Sequence, residues 1–91
     1  MSSSVFALRA RLAPPTADEC DTEQAACQAQ ATDLTNMADE LVTEAHLLPD
    51  SSPRRRALLQ AARGLRLAAD GFSDAAEEYQ QWARSLREAR L

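Results

Sequence analysis

The chain has 91 residues, 45% of them apolar, with alanine the commonest of these and only four residues aromatic, which limits it to one small domain without a bulky core. Its net charge is −4, every basic residue is an arginine, and no arginine face is free of acids, which argues against a nucleic-acid binder. No run approaches the roughly 18 apolar residues of a membrane span.

Met1–Ser4 reads as a frayed end. Val5, Phe6, Leu8 and Leu12 share one helical face, so the spacing predicts a short helix over about 4–12. Its two arginines and missing acids also weakly resemble a mitochondrial presequence, but a short helix of the fold is the preferred reading. Ala13-Pro14-Pro15 ends it, because proline restricts the residue before it and lacks an amide donor. Thr16 then fits an N-cap, with Glu19 completing a capping box. Asp18, Glu19, Asp21 and Glu23 suit the positive end of a helix dipole.

A second helix is predicted over about 16–48. Cys20, Cys27, Leu34, Leu41 and Leu48 form one heptad row, and Ala17, Gln24, Ala31, Ala38 and Ala45 another. On a helix Cys20 and Cys27 lie about 10 Å apart, too far for a disulfide. They read as small apolar seam residues in a reducing compartment. With only His46 nearby they form no metal set, and neither metal nor cofactor is expected. Pro49-Asp50-Ser51-Ser52-Pro53 is the break. Ser51 or Ser52 can cap the next helix, with Pro53 at its first position.

The third helix, about 53–90, is the most regular stretch. Leu58, Leu65, Phe72, Tyr79 and Leu86 recur every seven residues as row a. Ala61, Ala68, Ala75, Trp82 and Ala89 form row d, and Ala62, Ala69, Ala76 and Ala83 row e. Leu59 and Leu67 are apolar exceptions on the polar side. The short break forces an antiparallel hairpin, with residue i facing roughly residue 102 − i. Rows a and d should then form the seam, with Phe72, Tyr79 and Trp82 in the core. Cys20 should face Trp82, Ala38 Gly64, and Ala31 Gly71, the glycines allowing close backbone approach. Row e becomes a ledge that needs cover, which the 4–12 helix can partly supply. The fold class expected is therefore all-α: an antiparallel hairpin completed to a three-helix bundle by a short N-terminal helix, in a single domain over 1–91.

Charge is uneven. Ala13–Pro53 holds nine acids and neither Lys nor Arg, whereas Arg54–Leu91 holds eight arginines and five acids. The register sets Arg54, Arg55, Arg56, Arg63 and Arg66 beside Asp39, Glu40 and Glu44, and Arg84, Arg87 and Arg90 beside Asp18–Glu23. Pairing is the first reading of Arg54–Arg56, and contact with an acidic protein the second. His46 reads as a partner of the helix dipole. Glu77 and Glu78 are adjacent on a helix and so diverge. No catalytic constellation appears, and the chain reads as a non-enzyme.

Three places together carry a family resemblance. They are Ala38-Asp39-Glu40-Leu41 leading into Leu47-Leu48-Pro49-Asp50, then Arg55-Arg56 before a leucine and alanine run, then Ala76-Glu77-Glu78-Tyr79. On these, Ala38 to Leu86 resembles tubulin-binding cofactor A, a small helical chaperone of β-tubulin. The resemblance implies capture of β-tubulin after the chaperonin, without nucleotide, in a cytoplasmic, cytoskeleton-associated protein that is a monomer or weak homodimer. Arg55, Arg56, Arg63 and Arg66, with Glu77 and Glu78, are the candidate partner-binding residues. Nucleic acid and membrane are not expected partners. This chain departs from the family in having no lysine and in being shorter ahead of the proline turn. The family pattern would put the first break near Thr35-Asn36, whereas the unbroken cysteine and leucine row favours Pro14-Pro15. A self-assembling hairpin of structural or secretion type is the competing class, suggested by the proline-flanked turn.

Overall fold

The computed structural model describes residues 14–90. Two helices make up nearly all of them: α1, Ala17–His46, and α2, Pro53–Glu88. No strand occurs among the described residues. The helices pack on each other as an antiparallel hairpin measuring 60 × 25 × 13 Å. The helix expected over about 4–12, and the cover it would give, lie outside the described residues.

Local chemistry sets the helix ends. Thr16 has extended backbone, and its Oγ1 accepts the Glu19 amide at 3.1 Å, satisfying one of the amides a helix start leaves unpaired. α1 runs through Thr35-Asn36 without a break. There the Thr35 hydroxyl donates to the Ala31 carbonyl at 2.9 Å, which satisfies it without disturbing the backbone ladder. α1 ends at His46, where the Leu47 and Leu48 amides turn back to Glu44 and Ala45 carbonyls at 3.1 Å. Pro49 cannot extend it. Ser52, not Ser51, caps α2 by accepting the Arg55 amide at 3.4 Å, and Pro53 opens the helix.

The seam is built of alanine. Ala31, Ala38 and Ala45 of α1 and Ala62, Ala69, Ala76 and Ala83 of α2 are buried, with Ala17 and Cys20 at the open end of the hairpin. Ala17, Cys20 and Ala83 form one cluster against which Tyr79 and Leu86 pack. Cys20 thus meets Ala83, one residue along from the Trp82 expected. Facing alanines bring the backbones close, and the larger side chains move to the flank of the seam.

This corrects the a/d expectation. Row e, expected to be a ledge in need of cover, is the seam itself. Row d turns outward, leaving Ala61 and Ala68 exposed. Phe72 and Trp82 are each 38% exposed rather than core. Alanine flanks row a on both sides, so size alone cannot choose between d and e. Charge separates them. With row e inward, Arg66 reaches Asp39 at 3.1 Å, and Arg87 bridges Asp21 and Asp18. Each such exposed pair is screened by solvent and individually weak, but together they favour row e, since rows d and e carry alanine at every position except Trp82. The close approach expected at Gly64 and Gly71 is corrected too, since an added Cβ at either would meet nothing within 4 Å. Ala38 and Ala31 therefore do not find their close neighbours there.

The hairpin has two unlike broad faces, because successive residues turn by about 100°. One carries the Arg66 and Arg87 pairs with Gln24, Gln80 and Arg84. The other carries Leu34, Met37 and Leu41 of α1 beside Leu65, Ala68, Phe72, Ala75 and Trp82 of α2. Tyr79 and Trp82 stack on this second face, with ring centroids 6.4 Å apart and planes 10° from parallel.

Candidate protein-interaction surface

Sequence places a run of arginines at the start of α2, and the structure sorts them by what each guanidinium reaches. Arg55 is half-buried and closes the turn, donating to the Leu48 carbonyl at 3.3 Å and to the Asp50 carboxylate. Arg54 pairs with Glu44 at 2.8 Å and Arg66 with Asp39 at 3.1 Å. Among the described residues, Arg56 and Arg63 make no ion pair. The arginines are therefore divided, and the pairing expected first for Arg54–Arg56 holds for Arg54 with Glu44 but not for Arg56. Arg54, Arg55 and Arg66 tie the hairpin together, and Arg56 and Arg63 face outward.

Arg56 and Arg63 lie about two turns apart on the outer side of α2, seven residues at about 1.5 Å each. Leu59, Gln60 and Leu67 fill the space around them and line a shallow groove. Leu67 is 72% exposed. Exposed Leu67 and half-buried Leu59 lie on one ridge of the helix with Arg63 between them and Arg56 one turn before Leu59. Such a mixed surface, apolar with two unneutralised guanidiniums, can receive an acidic protein surface, the charges acting mainly on encounter. Leu59 and Leu67 are the part that sequence reasoning missed as a site. Their signal was visible, since both interrupt an otherwise polar side of the helix.

Glu77 and Glu78 do not join this strip. Glu77 lies fourteen residues beyond Arg63, about 21 Å along the helix. Both are exposed, and Glu78 borders a shallow depression with Ala75, Tyr79 and Trp82.

Titration behaviour follows the packing. A hydrogen bond from Arg87 holds the Asp21 carboxyl below its ordinary range, and that bond raises Arg87 in turn. Burial pushes the Cys20 thiol up, helped by the Asp21 and Glu19 carboxylates and opposed by Arg87. Burial and Glu23 push Cys27 up, and burial is the main cause of a raised Tyr79. Both cysteines are free thiols. Among the described residues no three His, Cys, Asp or Glu side chains gather to hold a metal. No helix there is long and apolar enough to cross a membrane.

No family model, characterised protein or solved structure matches this chain.

Proposed function

We propose that this chain is a non-catalytic helical hairpin that binds another protein through the outer strip of α2, and that its partner is β-tubulin. The observation that carries the reading is the pair Arg56 and Arg63, without internal acids, flanking exposed leucine. The tubulin assignment rests on the resemblance of Ala38–Leu86 to tubulin-binding cofactor A. Under that assignment the hairpin captures β-tubulin in the cytoplasm as it leaves the chaperonin and needs no nucleotide. An acidic partner surface would be drawn by the guanidiniums and held over Leu59 and Leu67. Such rim charges act mainly on association rate and its salt dependence.

Binding of purified tubulin to the immobilised chain tests this. The native chain should bind, and Arg56→Glu with Arg63→Glu should slow association at low salt at least tenfold, on the order of 1.4 kcal/mol, with helicity unchanged. Binding indifferent to both the substitutions and salt would remove the strip as the contact surface. No binding by the native chain would remove β-tubulin as the partner.

A further inference from the structure

The outer edge of α2, turned away from α1, carries a charge order that is its own complement. We infer that a second copy of this chain docks there, the two α2 helices antiparallel about a twofold axis at Leu67. The inference stands apart from the β-tubulin assignment, but it concerns the same strip, which one occupant would close to the other.

The charges come first. Arg56, Arg63, Asp70 and Glu77 recur every seven residues along one line of this edge, two positive and then two negative. All four are exposed, and among the described residues none makes an ion pair. Reversed end to end, the order plus, plus, minus, minus becomes minus, minus, plus, plus. An antiparallel twofold therefore sets Arg56 by Glu77 of the second copy and Arg63 by Asp70, residue i by roughly residue 133 − i, with every pair repeated across the axis as an isologous interface requires. No like charges of the row meet. An acidic partner long enough to pass Leu67 would instead be repelled by Asp70 and Glu77.

The hairpin itself leaves these charges uncompensated. Asp74 lies one turn from Asp70, Glu77 and Glu78, and like charges at that spacing destabilise a helix. Arg66, one turn before Asp70, is taken by Asp39 of α1. The arginines of a second copy supply the missing countercharge.

The neighbouring rows fit the same register. Leu67, 72% exposed, falls on the axis and meets its own copy. Gln60 falls by Asp74 of the second copy and can donate its amide to that carboxylate. On the far flank Gly64 falls by Gly71. Both glycines are exposed, a Cβ at either would meet nothing within 4 Å of it in the hairpin, and glycine inside a helix is otherwise unfavourable. Two backbones can close up along that flank, which shortens the gap the guanidiniums must span. Arg84, the next of the charged row, falls by Pro49, before the start of the other α2, and stays outside the contact.

Extent sets the strength. The contact runs from Arg56 to Glu78, about 33 Å along a surface one helix wide, about 10 Å. That is well below the roughly 800 Å² per partner of a standard interface. The dimer is therefore weak and sensitive to salt, with its specificity in the order of charges rather than in area.

Sedimentation equilibrium of the full chain up to about 1 mM, in about 0.01 M and about 1 M salt, with circular dichroism of each variant, tests this. The 9.9 kDa chain should form a dimer at low salt and dissociate at high salt. Arg63→Glu, which places an acid against Asp70 on both sides of the axis, should weaken the dimer at least about tenfold with helicity unchanged. Adding Asp70→Arg to it should restore the dimer. A chain with Arg56→Glu and Arg63→Glu and a chain with Asp70→Arg and Glu77→Arg should each be monomeric alone and should pair when mixed. The second of these keeps both arginines of the strip, so its capture of tubulin reports on that assignment separately. A native chain that stays monomeric at low salt overturns the inference, as does growth into larger assemblies. So does a failure of Asp70→Arg to rescue Arg63→Glu, or of the two oppositely charged chains to pair.

Discussion

Cys20 shows how little volume this fold withdraws from solvent, and how firmly. It is wholly buried against Ala17 and Ala83, and burial raises its thiol pKa. A neutral thiol is favoured in the fold, so the stability it contributes is full below the unfolded thiol value, about 8.5. It is lost as pH rises through the raised folded value. Alkylation requires the thiolate. At mildly alkaline pH a maleimide or iodoacetamide should therefore modify half-exposed Cys27 first and Cys20 only as the hairpin opens. Peptide mass spectrometry against time checks this, and equal rates would show that Cys20 is not sealed. Sequence spacing made the absence of a Cys20–Cys27 disulfide legible. It did not say which of the two thiols would lie deeper, because that depends on where the alanines of α2 fall.

The two helices are joined by short-range chemistry that the sequence displays and by long-range charge that it displays only in part. Thr16 with Glu19, and Ser52 with Pro53, mark the starts of α1 and α2 where the residue types predict them. These signals are local, so one sequence suffices to read them. The choice between rows d and e is not local, since alanine occupies both, and it turns on which arginines reach acids of α1. Arg87 with Asp21 and Asp18 is one such contact. The Asp21 carboxyl is held low by Arg87, so the contribution is full above the unfolded carboxylate value, about 3.9. It fades as pH falls through the lowered folded value. Arg87→Gln should therefore be less stable than the native chain near pH 6, and the difference should disappear by about pH 2. Chemical denaturation at both pH values checks this, and a difference independent of pH would remove the ion pair as its cause.

At the scale of the whole molecule, the hairpin is a thin alanine seam between one charged face and one apolar face. The all-helical class, the turn and the antiparallel orientation were legible from heptad rows and prolines, but not the facing pairs, since Cys20 meets Ala83 and the glycines meet nothing. The division of the arginines was not, because Arg55 reaches a carbonyl of its own turn, Leu48, which no heptad pattern encodes. Every surface assignment depends on the seam running along Ala62, Ala69, Ala76 and Ala83 with row d outward. Two neighbouring residues test that most directly, through the urea unfolding midpoints of Ala68→Arg and Ala69→Arg. Ala69 is 5% exposed, and an arginine there must bury its charge or part the helices. Ala69→Arg should therefore lie below Ala68→Arg by about 2 kcal/mol or more, and Ala68→Arg should keep its helical signal and cooperative unfolding. The reverse order, with Ala68→Arg the more damaged, would put row d in the seam and contradict the account.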